Sequence, residues 1–183
     1  MTNKVSFSRQ HSSLENIEGY YADSENSLNN YFNSSSAGTL FPIRFFGYNT
    51  NQIDNELKTR KESLDRMCSL EILSSIEAKL KIDYLVRCQN KQKDDLSKIF
   101  YEIYKIKRDK PSLADDIVRT WRIECPQHKT RMDNLGKALY YRNWLAHGRY
   151  WLPKKSPHIS RYDYLAIYAL ASDIITNMDL HEN

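Results

Sequence analysis

The sequence predicts an all-α protein, an up-and-down bundle of four to six helices. Three observations predict it. Apolar residues recur at intervals of three and four along most of the chain, not in alternation. Glycine and proline, the strongest breakers of regular structure, number only five each in 183 residues. No stretch reads as a convincing strand, and no internal repeat is visible. The length suits one domain with a real core, or one domain plus a tail.

The elements follow in order. Residues 1 to 11 are polar and read as loose. Residues 13 to 33 form a weak helix through Leu14, Ile17, Tyr21, Leu28 and Phe32, diluted by Asn and Ser. "NSSSAGTLFPIRFFGYNT" breaks that pattern with two glycines, a proline and several aromatics, and reads as a loop that packs its aromatics on the body. The longest pattern runs from about Ile53 to Cys88 through Leu57, Leu64, Met67, Leu70, Leu73, Ile76, Leu80 and Tyr84. A second pattern, Leu96, Ile99, Phe100, Ile103 and Tyr104, follows a polar turn and stops at "RDKPS". Ser112 with Asp115 signals the cap of a short helix through Ile117 and Trp121. Thr130 with Asp133 repeats that signal, and Gly148 and Pro153 help end the helix it opens. A last helix spans about Ser160 to Met178, through Tyr164, Leu165, Tyr168, Ala169, Ile174 and Ile175. The expected division is an extension over 1–52 and a helical domain over 53–180.

Composition excludes several classes. The longest apolar run, around Leu165 to Ala171, is too short to cross a bilayer, and MTNKVSFSRQ lacks the apolar core of a signal peptide. A cytoplasmic protein is the expectation. The three cysteines, Cys68, Cys88 and Cys125, are odd in number and widely spaced, which argues against a disulfide framework. Cys125-Pro-Gln-His128 is half a zinc site with no second pair nearby, so no metal and no cofactor are expected. There is no Gly-rich phosphate loop, no Gly-x-Ser-x-Gly elbow and no His-Glu-x-x-His. Asp94-Asp95 and Asp115-Asp116 are sequence neighbours, so on helices they diverge and do not share a metal.

Charge is uneven. The chain carries a net +4, yet from Lys129 to Tyr162 eight basic residues meet a single acid, Asp133. A local basic field suits a polyanion partner, although a solvated basic face gives the same count.

That window contains "YYRNWLAHGRYW", which sets Arg142, Asn143, His147 and Arg149 among aromatics. On an ideal helix, Met132, Leu135, Ala138, Leu139, Leu145 and Ala146 form one apolar arc, and Arg142 falls inside it. An arginine in such an arc needs a partner, because an unpaired buried charge is costly. Asn143 and His147 share another face with Gly136 and Tyr140. Arg142 and His147 stand about 140° apart. Either the helix bends, or Arg142 reaches around, or a second copy of the helix completes the site. On the long helix, Glu77 shares the face of Leu73, Ile76, Leu80 and Tyr84, whereas Glu71 does not and Asp83 is marginal. Glu77 is therefore the candidate partner that orients Arg142, unless it snorkels to the bundle edge.

Arg142, four residues, then His147, with Asn143 in the polar slot after the arginine, resembles the motif of the HEPN family of α-helical domains. The placement on the penultimate helix, with "NWLAHG" around it, is similar too, and the resemblance covers residues 53 to 180. It implies a metal-independent endoribonuclease, often the toxin or effector of a bacterial toxin–antitoxin or anti-phage system. It also implies a homodimer joined through the motif helices around a composite cleft, and a separately encoded partner of nucleotidyltransferase or Toprim type. Many family members have lost the motif and only bind, so a nucleotide- or protein-binding module is the alternative.

The residues suit that chemistry. RNA supplies a 2′-hydroxyl nucleophile. Imidazole, with an unperturbed pKa of about 6.5, makes His147 a base or acid near neutrality. Arg142 can fork onto phosphate oxygens, and Asn143 can orient either group. The products would be a 2′,3′-cyclic phosphate and a 5′-hydroxyl, and DNA would not be cut by this route. Arg149, Lys154 and Lys155 suit the RNA backbone, and Tyr140 and Trp151, on the face of His147, are the better candidates to stack bases. Trp144 reads as core.

Overall fold

A computed structural model describes residues 7–8, 10–33, 42–150 and 162–182. Among them there are six α-helices and no strand: α1 (Leu14–Phe32), α2 (Thr50–Gln89), α3 (Asp95–Lys107), α4 (Arg119–Glu124), α5 (Lys129–Ala146) and α6 (Tyr164–Asn177). No helix among the described residues is long and apolar enough to cross a membrane.

The spine is α2, a helix of 40 residues. It is about 60 Å long, at a rise of about 1.5 Å per residue. Asn49 starts it with a reciprocal capping box to Gln52, which satisfies two orphan backbone donors. The helices α1, α3, α5 and α6 all pack on it, and α4 bridges α3 and α5. Ile72, Leu73, Ile76 and Leu80 of α2 meet Leu135 and Ala138 of α5 and Ile167 and Ile174 of α6 in one buried cluster. Fully burying such large apolar side chains contributes about 1.5–3 kcal/mol each, before the entropic cost of ordering them.

The first helix joins the same core. Ile17 lies in the buried cluster, and Tyr21 stacks on Tyr164 of α6 at 3.7 Å while its hydroxyl donates to Asp65 of α2. The expected division after residue 52 thus falls inside the first turn of α2. In the segment that follows α1, Phe45 packs inward against Phe32, Tyr31 and Tyr48, but Ile43 and Phe46 point to solvent.

Packing corrects several local expectations. Met67, Ile99 and Leu165 are exposed, not core, because α2, α3 and α6 turn those positions away from their neighbours. Ala146 ends the apolar arc of α5 in solvent. Asp83 is not marginal; it is fully buried. Ser112 caps as expected, its hydroxyl accepting from the Asp115 amide, but the turn it opens (Leu113–Val118) is a π-helix that leads into α4. Thr130 does not cap α5. That helix begins a residue earlier and follows a 3-10 turn, Pro126–His128, without a side-chain cap. Asp163 caps α6 by accepting from the Ala166 amide, and Ser160, the expected start of that helix, lies outside the described residues.

Candidate functional site

The site residues come from the middle of α2 and the C-terminal turn of α5. The α-helix runs to Ala146, so Arg142 and His147 leave it on different faces. Arg142 turns toward α2. Its Nη2 donates to Glu77 Oε2 at 2.7 Å, the pairing expected from the two helical faces. Its Nη1 donates to the side-chain oxygen of Asn143 at 3.1 Å. The side chain keeps 31% of its surface exposed and Glu77 keeps 18%. Arg142 Nε is buried with no hydrogen-bond partner among the described residues. Both terminal nitrogens are therefore engaged and Nε is buried, so solvent reaches the group only at the outer sides of the two Nη atoms.

Glu77 uses both carboxylate oxygens. Oε1 accepts from Lys81 Nζ at 2.7 Å, one turn further along α2. Lys81 is 43% exposed and adds a second cation beside Arg142. It is absent from the candidates that the sequence singles out. The signal is present all the same, because a glutamate four residues before a lysine is the favoured helical ion pair.

His147 is the C-cap of α5 and is exposed. The end of the helix is a Schellman motif. The Arg149 amide donates to Trp144 O at 3.0 Å and the Gly148 amide to Leu145 O at 3.3 Å. Gly148 sits at φ +76°, where glycine carries no steric penalty. Arg149 also has positive φ, +58°. This tight exit holds His147 at the last turn rather than in a trailing loop. Asn143 lies one turn before it, and its carbonyl accepts the His147 amide at 3.0 Å.

The aromatics divide cleanly. Tyr141 is buried and stacks between Trp144 and Tyr162, and burial pushes its phenol pKa up. Trp144 packs against the core. Tyr140 is 53% exposed and remains on the solvent face of α5. Trp151, Lys154 and Lys155, expected to line the RNA path, lie outside the described residues, as does Pro153. The basic window is also less free than its count suggests, since Arg131 is tied to Asp173 of α6 at 2.9 Å. Lys137 and Arg149 are exposed.

No group of three His, Cys, Asp or Glu side chains suited to a metal ion occurs among the described residues. His128 contacts Arg131 and the Trp121 ring.

Fold and site together define a helical bundle with a partly exposed arginine–glutamate–lysine cluster on one face of the α5 end and an exposed histidine at its C-cap. No protein-family model, curated protein or solved structure matches the chain.

Proposed function

We propose that the protein is a metal-independent endoribonuclease of HEPN type, acting in the cytoplasm as the toxin or effector of a bacterial toxin–antitoxin or anti-phage system. The observation that carries this reading is the chain Lys81–Glu77–Arg142–Asn143, which holds a partly exposed guanidinium five positions before an exposed His147. Arg142 binds the scissile phosphate and stabilises the charge that builds on it. His147 moves the proton, taking it from the 2′-hydroxyl or giving it to the 5′-oxygen. The bond formed is O2′–P and the bond broken is P–O5′. Lys81 and Arg149 supply further charge for the RNA backbone.

One helix end directs Arg142 and His147 to different faces, so a single copy offers one base or acid only. A homodimer that crosses two α5 helices supplies a second His147 and lets the two divide the roles. A partner protein encoded separately, of nucleotidyltransferase or Toprim type, would hold such an enzyme in check.

The test is cleavage of a mixed RNA pool in EDTA by wild type and by His147→Ala, with the product ends analysed. Cyclic-phosphate and 5′-hydroxyl ends from wild type alone are expected. A loss of about 10²- to 10⁴-fold in the variant fits removal of a general acid or base. Cleavage that survives in folded His147→Ala takes His147 out of the cleaving site, and none by dimeric wild type leaves a binding module as the reading.

A further inference from the structure

On the part of α2 that precedes Glu77, α1 and α2 leave a groove between them. It consists of two adjoining hollows of about 290 and 670 Å³ that share Tyr20 and Met67 in their walls. The first closes near Ser12 and Glu71, and the second near Tyr31 and Arg60. The groove therefore follows α2 from Arg60 to Glu71. That span is about 17 Å, roughly three helical turns.

Its walls are unlike an ordinary surface. Tyr20 is 58% exposed, Met67 62% and Tyr31 44%, and all three stand along the same trough. Half-buried Leu28 and buried Ile17 and Leu64 form its floor. Aromatic and methionine side chains are the types enriched where proteins bind one another.

The charged residues lining the trough are two acids, Asp23 and Glu71, and one base, Arg60; Arg44, over the Tyr31 ring, and Arg66, on Ser63, stand beside it, paired with Glu56 and Glu62. From Leu14 to Phe32, α1 carries Glu15, Glu18, Asp23 and Glu25 and no lysine or arginine. Glu25 is paired with Lys61 of α2. Asp23 and Glu71, which line the groove, have no ion-pair partner among the described residues, and Glu71 accepts from the Ser12 hydroxyl. The one cation among those lining residues, Arg60, is already paired with Glu56 at 3.3 Å.

We infer that this groove is a docking site for a basic amphipathic helix of a partner protein. An apolar stripe at positions i, i+3 or i+4, and i+7 would cover Tyr20, Met67 and Tyr31, as in other helix-in-groove complexes. Lysine or arginine on the flanks of that stripe would meet Asp23 and Glu71. Three turns of helix match the length of the trough. Asp23 and Glu71 select against an acidic helix and against a polyanion, which distinguishes this face from the arginine–glutamate–lysine cluster at Arg142.

The test uses the full chain and a fluorescein-labelled helical peptide of about four turns, with leucine and phenylalanine on one face and lysine on its flanks. A second peptide replaces every lysine with glutamate. Saturable binding of the lysine peptide by fluorescence anisotropy is expected, with at least about tenfold weaker binding of the glutamate peptide. Met67→Lys and Asp23→Lys change exposed side chains, and each should weaken binding at least about tenfold while the thermal midpoint stays put. The inference is overturned by no saturable binding, by equal affinity for both peptides, or by variants that bind as wild type does. It is also overturned if sedimentation shows a dimer of wild type that Met67→Lys dissociates, since the occupant is then a second copy. RNA cleavage by Met67→Lys should equal that of wild type, so this test and the ribonuclease test fail independently.

Discussion

Two carboxylate–arginine pairs use the same helix, less than two turns apart, and they have opposite characters. Asp83 and Arg87 are sealed, with side-chain exposures of 0% and 5%, and their contact is 2.7 Å. Glu77 and Arg142 make a contact of the same length with 18% and 31% of their side chains exposed. The inner arginine is engaged on every side. It also reaches Asp94 and Ser97, donates to the Asp179 carbonyl at 2.7 Å, and lies over the Trp121 ring. Asp83 in turn accepts the His181 amide, so the pair pins the C-terminal segment to α2. The outer arginine has one carboxylate, one amide oxygen and an orphan Nε. The same chemistry is a strut where water is excluded and stays within reach of solvent where one side is open, and solvent access decides whether an incoming anion could compete.

This contrast can be broken at the inner pair first. Arg87→Ala leaves Asp83 buried without its counter-charge and frees the Asp179 carbonyl. A loss of about 3–5 kcal/mol is expected in urea unfolding, as for one-sided removal of a buried pair. A loss below about 1 kcal/mol, the scale of exposed pairs, would mean that the two pairs are energetically alike.

The outer pair should respond in function, not stability. Arg142→Ala should shift unfolding by no more than about 1 kcal/mol, since the pair is partly exposed. RNA cleavage should fall by about 10²- to 10³-fold, the scale for losing one preorganised donor to transition-state charge. Similar loss of both quantities would make Arg142 a second strut.

A smaller effect concerns the helix end. Gly148→Ala adds a Cβ into open space at a positive φ, so its cost is conformational. That cost is about 1–2 kcal/mol for a non-glycine residue in this backbone region. If His147 acts from this cap, cleavage should fall more than stability does, measured by single-turnover rates beside thermal unfolding.

The pH dependence sharpens the inner pair alone. Burial raises the Asp83 pKa above the usual carboxylate range, although Arg87 and the His181 amide pull it down. The folded value lies above the unfolded one, so the folded state holds this proton more tightly. The resulting stability is present below about pH 4, the unfolded value, and is lost as pH rises through the folded one. Unfolding of wild type and Asp83→Asn across acid to neutral pH should show that slope in wild type only.

Much of this is legible in the sequence. The two helical faces bring Glu77 and Arg142 together because α2 and α5 are each amphipathic where they meet, and a charge on an apolar stripe advertises a partner. Ser112 caps as expected, since a cap is set by four consecutive residues. The stripe logic fails at Asp83 because residues 83 to 88 are all buried. A helix enclosed on every side has no polar face, so its wheel carries no information about which residue is inside. It fails at Met67 for the opposite reason, an apolar residue facing a groove that the bundle leaves open.

The helices, their approximate ends, the Arg142–Asn143–His147 spacing and the glycine that stops α5 all follow from the order of residues along the chain. They depend on periodicity and local capping, which near neighbours settle. Packing alone makes α1 part of the same core, and seals one arginine pair while the other stays open. Those outcomes depend on which helices cover which faces, and solvent exclusion is a property of the packed bundle, not of any segment within it.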